Sequence, residues 1–141
     1  MAKDEAMFVI FGVGGEFFAL PIEHIKEVLV RPTVTPVPDT VGAQSGLINL
    51  RGRILLCHDL GKILDAKEGA RDSMLVGIDG KELCGIQVDS VSEVFSCDPE
   101  EIDAAPEDTA RKVSLGGTLN WNDKLVFILD FESLMERMGS V

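Results

Sequence analysis

No stretch of this 141-residue chain approaches the roughly 18 consecutive apolar residues that a membrane-spanning helix needs. Its start, Met1-Ala2-Lys3-Asp4-Glu5-Ala6, lacks the basic segment and apolar core of a secretory leader, so a cytoplasmic protein is expected. Basic charge is scarce: 13 Lys and Arg against 24 Asp and Glu give a net charge of −11. A nucleic-acid binder needs a basic face for phosphates, and that class is excluded. Docking to an anionic lipid surface is disfavoured for the same reason, which leaves a protein partner as the route to any membrane. The three cysteines, Cys57, Cys84 and Cys97, include no CxxC pair. An odd number of scattered cysteines in a cytoplasmic chain predicts free thiols, and no spacing matches a structural zinc site. Neither a metal nor a cofactor is expected. There is also no alternation of strands with long helices, which argues against a Rossmann or TIM architecture.

What the sequence has is a 45% hydrophobic composition, cut into short apolar runs by turn residues. Residues 7–11 and 17–20 flank Gly12-Val13-Gly14-Gly15 and predict a hairpin. Pro21 opens a short helical turn over 22–25, and 27–30 is extended. Residues 31–38 hold Pro32, Pro36 and Pro38, so they read as loop or sheet edge, with a small helix expected around 40–44. Strands at 47–50 and 54–57 form a second hairpin, followed by a short helix at 59–65 and a polar connection at 66–72. A third hairpin joins 74–78 to 83–88 through Asp79-Gly80, and 91–95 extends the sheet. Asp98-Pro99 caps a helical turn, and 104–112 reads as a loop. A fourth hairpin joins 118–121 to 125–129. Asp130 then caps a helix over 131–138, whose Phe131, Leu134, Met135 and Met138 share one face. The expectation is a mainly β fold of small antiparallel barrels, with no internal repeat.

Catalytic candidates are few. His24, between Glu23 and Glu27, reads as a solvated surface histidine. Cys57, His58 and Asp59 resemble a nucleophile, a base and an orienter. Adjacent strand residues face opposite ways, however, so Cys57 and His58 cannot aim at one atom. The Gly12–Gly15 loop lacks the Lys-Ser/Thr of a phosphate loop. No catalytic residue is assigned. The runs Glu100-Glu101 and Glu107-Asp108 read as solvated surface, and Trp121 as a partly buried hydrophobe.

Function therefore rests on binding surfaces, and the informative stretch is Gly46-Leu47-Ile48-Asn49-Leu50-Arg51-Gly52-Arg53-Ile54-Leu55. Gly52 suits a tight turn, and the Asn49 side chain can fix that turn by bonding to nearby backbone. Arg51 is then held at the end of a stiff apolar scaffold. Its fork-shaped guanidinium could grip the carboxylate of Glu27, which stands inside the apolar stretch 25–30. It could equally present charge to a partner, or simply face solvent.

That stretch, with Asp59-Leu60 after it, resembles the CheW family of coupling proteins in bacterial chemosensory arrays. Three more blocks follow the family's order: Phe8-Val9-Ile10-Phe11 with residues 17–20, Ile25-Lys26-Glu27-Val28, and Gly85-Ile86-Gln87-Val88-Asp89-Ser90-Val91. The resemblance spans residues 7–138, with 1–6 a flexible start and 139–141 a tail. It implies two small SH3-like β-barrel subdomains around a shared hydrophobic core, with short helices and a C-terminal helix. It implies a non-enzymatic adaptor that binds the regulatory domain of a CheA-type histidine kinase and the cytoplasmic tip of chemoreceptors. The implied partner-binding residues are Ile25, Glu27, Asn49, Arg51, Gly52, Met74, Gly85 and Val94, with Ile25, Met74 and Val94 lining an apolar groove. Leu56 stands where the family commonly has proline, Cys57 and His58 stand where aliphatics are usual, and the segment 107–116 is short. These departures point to a specialised pathway such as pilus motility, gliding or second-messenger control. With no receiver or kinase domain expected, a CheV-like protein or a kinase is disfavoured. The competing reading is a small thiol enzyme or redox sensor built on Cys57, His58 and Cys84, and a third is a barrel that binds a small molecule.

Overall fold

β1 (Ala6–Val13) is apolar at nearly every position, which a strand tolerates only when both of its faces are covered. The computed structural model, which describes residues 5–38, 42–106 and 113–139, shows what covers them. Phe8 and Ile10 point into one small core with Ala19, Cys97, Leu119, Trp121, Val126 and Ile128. Val9, Phe11 and Val13 point the opposite way, into a larger one.

The remaining strands are β2 (Glu16–Pro21), β3 (Ile25–Val30), β4 (Gln44–Leu50), β5 (Arg53–Asp59), β6 (Ser73–Asp79), β7 (Glu82–Val88), β8 (Ser90–Cys97), β9 (Leu115–Trp121) and β10 (Lys124–Leu129). Helix α1 spans Leu60–Leu64 and α2 spans Phe131–Gly139, while 3-10 turns occupy Ile22–His24 and Pro99–Glu101. Two five-stranded sheets result, ordered β8-β1-β2-β10-β9 in the first lobe and β3-β6-β7-β5-β4 in the second. The chain passes from the first lobe to the second after β2 and returns after β7.

The two sheets are built alike. Each has an edge strand beside a hairpin, and a second hairpin joined to the first by a parallel pair, β2 with β10 and β5 with β7. In each, the chain beyond the first edge strand returns to the opposite edge. Thr35 exchanges two backbone hydrogen bonds with Leu47 of β4, and Asp103 does the same with Thr118 of β9. These bridges curl each sheet back on itself, an arrangement compatible with the expected five-stranded barrels.

The two sheets carry an internal repeat, contrary to the expectation of none. Gly46, Asn49, Arg53, Ile54 and Asp59 recur in register as Gly117, Asn120, Lys124, Leu125 and Asp130. Both asparagines fix their turn by accepting a backbone N–H, from Gly52 at 2.8 Å and from Asp123 at 3.1 Å. Both aspartates cap the following helix, through Gly61 and Ser133. The repeat escapes notice because it is circularly permuted: the partner of the β6–β7 hairpin is β1–β2, at the other end of the chain.

The helix expected at 40–44 falls partly on 39–41, outside the described residues; Gly42 and Ala43 form a turn and Gln44 already belongs to β4. The segment 107–112, the first residues 1–4 and the last two also lie outside them.

Three cores stabilise this arrangement. The first lobe's interior is the one seen by Phe8 and Ile10. The second lobe's interior holds Ile48, Leu55, Cys57, Met74 and Val76. Between the lobes, Val9, Phe11, Phe18 and Leu20 meet Leu60, Ile63, Leu75, Ile86 and Val88. The apolar face of α2, with Phe131, Leu134 and Met138, seals the junction.

Candidate partner-binding surfaces

At the tip of the β4–β5 hairpin, Arg51 and Gly52 both have positive φ, 50° and 87°. This is the geometry of a two-residue turn matched to the twist of its strands. Glycine adopts it freely, whereas arginine does so at a cost of about 1–2 kcal/mol. The side chain gains an anchor in return. Its Nη1 donates to Glu27 Oε2 at 2.7 Å and its Nη2 to Oε1 at 3.1 Å, the two-pronged grip suggested by the sequence. Hydrogen bonding from Arg51 holds the Glu27 carboxyl below its usual pKa, and the same contact raises that of Arg51. The pair ties β3 to a hairpin on the far edge of the sheet. The glutamate is mostly covered, while the arginine remains largely open to water. In the first lobe the hairpin of β9 and β10 has a related arrangement: Trp121 Nε1 donates to Glu93, and the Lys124 ammonium lies over the rings of Phe17 and Trp121.

The groove expected from Ile25, Met74 and Val94 does not form. Met74 is fully buried inside the second lobe. Gly85 is buried beside it, where a Cβ would lie 2.7 Å from Cys57 Sγ and 2.9 Å from Met74 Sδ. Its lack of a side chain serves packing inside the second lobe and leaves no room for an incoming backbone. Ile25 packs against the shared core, and Val94 is half-exposed on β8 of the other lobe. Asn49 and Gly52 are exposed at the hairpin tip, with the asparagine engaged in the turn.

A different apolar surface emerges from the register. Among the described residues the exposed large hydrophobics are Met7, Val28, Val30, Ile54, Leu56, Val94 and Leu125. Each is adjacent in sequence to a residue of a barrel interior or one packed against it: Phe8, Leu29, Leu55, Phe95 or Val126. Strand alternation therefore turns all seven outward, onto the faces that build the shared core. Val94 is paired with Val9, and Val28 with Leu75, both core members. The seven side chains thus share sheet faces with the inter-lobe core but stay uncovered. Of these, only Val94 is named as a partner-binding residue from sequence; the signal for the rest is an apolar residue on both parities of one short strand.

The thiols and imidazoles do not converge. Cys57 faces the second lobe's interior, where burial raises its pKa to about 11. Cys84 lies near Met135 of α2, its Sγ 4.0 Å from the methionine sulfur, and burial likewise raises its pKa to about 11. His58 is buried on the opposite face of β5 from Cys57, paired with Ile86 of the shared core, and among the described residues neither ring nitrogen has a partner at full hydrogen-bond geometry. Burial lowers its pKa, and the Met138 carbonyl offsets this only in part. His24, read from sequence as a solvated histidine, instead stacks in parallel on Phe131, with ring centroids 4.2 Å apart. The Cys57 thiol should accordingly resist a thiol-reactive probe at neutral pH. Labelling should accelerate as pH rises toward about 11, and should become fast at neutral pH only after denaturation. Stopped-flow absorbance with a chromogenic disulfide measures this, and rapid native labelling of Cys57 would refute it.

Known proteins share this architecture. The CheW-like domain family matches residues 7–138. This chain belongs to that family. Chemotaxis protein CheW of Helicobacter pylori is 31% identical over 139 residues, an alignment covering 96% of this chain and 84% of that protein. Protein FrzA of Myxococcus xanthus is 29% identical, covering 96% and 88%. The crystal structure of scaffolding protein TtCheW from Thermoanaerobacter tengcongensis superposes with a TM-score of 0.81 at 26% identity, covering 90% of each chain. Membership makes this chain a scaffold-type protein of the chemotaxis class and lends no support to the thiol-enzyme reading. No helix among the described residues is long and apolar enough to cross a membrane.

Proposed function

We propose that this chain is a non-enzymatic adaptor in a bacterial chemosensory array, joining the regulatory domain of a CheA-type histidine kinase to the cytoplasmic tip of chemoreceptors. The observation that carries this reading is the set of seven uncovered apolar side chains on the sheet faces that also carry the inter-lobe core. An apolar helix face laid along those faces would extend a core that already exists, which is how helices dock into grooves. The Glu27–Arg51 pair belongs to the second lobe, next in sequence to Val28, and supplies charge and geometry beside that lobe's share of the apolar surface. In this assignment Ile25, Glu27, Asn49, Arg51, Gly52 and Val94 act at or next to partner contacts, while Met74 and Gly85 act by shaping the barrel beneath them. The protein works in the cytoplasm and reaches the membrane only through receptors.

The test uses purified chain, kinase regulatory domain and receptor signalling fragment. Arg51→Glu should weaken kinase or receptor binding on the order of tenfold or more, the scale of a central charged contact, with circular dichroism unchanged. The exchange Glu27→Arg with Arg51→Glu should restore binding if the pair acts by fixing geometry, and should not if Arg51 touches the partner. Val94→Lys, which brings an unpaired charge to the apolar surface, should weaken receptor binding. Unchanged dissociation constants for both single variants, with the partners known to be the right ones, would remove the proposed site.

A further inference from the structure

Apolar contact between the lobes is strong but has no preferred direction, so by itself it lets packed sheets slide. At one end of the inter-lobe core a polar network supplies direction. Asp89 is the residue at the crossing from β7 to β8. Its Oδ2 accepts the Gly14 N–H at 2.8 Å, from the β1–β2 turn of the first lobe. Its Oδ1 accepts the Arg71 backbone N–H at 3.1 Å and the Arg71 Nη1–H. Arg71 Nε donates to Asp59 Oδ1 at 2.7 Å, and that aspartate also caps α1 of the second lobe. Arg71 Nη2 donates to the Lys67 carbonyl at 3.1 Å. One guanidinium thus bridges two carboxylates, one on the second lobe and one at the crossing, and the second of these holds the first lobe's hairpin.

Three further features mark the network as a built site. Arg71 has a φ of 50°, a conformation that persists in a bulky residue only where its surroundings enforce it. A Cβ on Gly61 would overlap the Arg71 guanidinium, and one on Gly69 would overlap the Asp89 carboxylate. A Cβ on Gly14 would lie 2.8 Å from Ala66 Cβ and 2.9 Å from the Lys67 nitrogen. Three glycines from three segments leave the space this network fills. The guanidinium and both carboxylates are mostly covered, so water does not screen them as it does an open surface pair.

We infer that Arg71 is a positioning residue: with Asp59 and Asp89 it forms a clamp that fixes how the two sheets sit across their shared core. The clamp stops shear between the lobes at the end where the Gly14 turn meets the 65–71 loop. Apolar surfaces contributed by both lobes then keep one spacing. That last consequence rests on the adaptor reading above; the clamp itself does not.

The experiment is residual dipolar coupling of the isolated full chain, comparing Arg71→Gln with the unsubstituted protein. Lys62→Gln, which alters a side chain of the same cleft but none of the clamp, is the control. Each sheet of Arg71→Gln should still fit its own coordinates, but the two should no longer fit one alignment tensor in the original relative orientation. Exchange of the Gly14 amide should accelerate roughly tenfold, as expected when a part-buried charge-assisted bond is loosened. If Arg71→Gln fails to fold, Arg71→Lys keeps the charge while losing the bridge between two carboxylates, and the same measurement decides. An unchanged single tensor in the folded variant overturns the inference whatever happens to stability. Kinase and receptor binding form a separate arm. A shifted orientation with intact binding would leave the clamp standing and count against the adaptor surfaces instead.

Discussion

Phe11→Ala should lower the thermal midpoint by on the order of 10–20 °C and should unfold both lobes together. The side chain is fully buried, in ring contact with Phe18 at 6.2 Å between centroids, and belongs to the core that both lobes share. Truncating a buried phenylalanine costs about 3–5 kcal/mol through lost transfer energy and the cavity left behind. A domain has only about 5–15 kcal/mol to lose. For a chain of this size the quoted midpoint shift follows from about 3–5 °C per kcal/mol. Two probes sit conveniently in different lobes: Trp121 inside the first and the Cys57 thiol inside the second. Because Phe11 belongs to the shared core and to neither lobe's own interior, its loss should shift Trp121 fluorescence and Cys57 protection by the same amount. A variant in which Trp121 moves while Cys57 stays protected would show that the lobes fold independently, and would contradict a common core.

Gly46→Ala should cost on the order of 2–4 kcal/mol, well above a surface substitution, and its damage should begin at one seam. Gly46 has a φ of 149°, where a side chain is strained in any surroundings. An added Cβ would run into the Thr35 carbonyl oxygen and lie 2.9 Å from its carbon, so backbone rather than a flexible side chain would have to yield. Thr35 is the residue that returns to β4 and closes the second lobe. Amide exchange at Thr35 and Leu47 should therefore accelerate first, with Asp103 and Thr118 protected until global unfolding. Gly117→Ala is the mirror experiment. Its Cβ would lie 2.8 Å from the Asp103 carbonyl, and the order of exposure should reverse. Equal loss at both seams in either variant would mean that the two closures are not separate features. The Gly46 experiment also bears on the partner surface, since the same hairpin carries Arg51 at its tip.

Much of the fold was legible because it depends on local chemistry. Glycines, prolines and Asn or Asp residues mark where strands must turn, and each hairpin joins neighbours in sequence. Asp59, Asp98 and Asp130 stand at helix or 3-10 starts that their side chains cap. The Asn49 turn and the Glu27–Arg51 pair were also within reach, because a lone acid in an apolar strand and an arginine at a hairpin tip each call for a partner. Met74 and Gly85 were not. Strand periodicity says that successive residues face opposite ways, but in a chain apolar on both faces it does not say which face water sees. His24 was misread for a related reason: its neighbours Glu23 and Glu27 are polar, while the ring that covers it belongs to α2, far along the chain.

The clamp lay further out of reach. Its bonds join Gly14 to Asp89 across 75 positions, and Arg71 to Asp59 and Asp89 across 12 and 18. In the sequence Arg71 is one more charge in a polar connection. The sequence by itself determined the hairpins, the caps, the free thiols and the membership of a family, since each follows from residues a few positions apart or from a pattern read along the chain. Tertiary structure alone decided which apolar faces were shared, which were left uncovered, and how two similar lobes were locked in place. Those outcomes depend on side chains that meet only after the permuted halves of the repeat have been brought together.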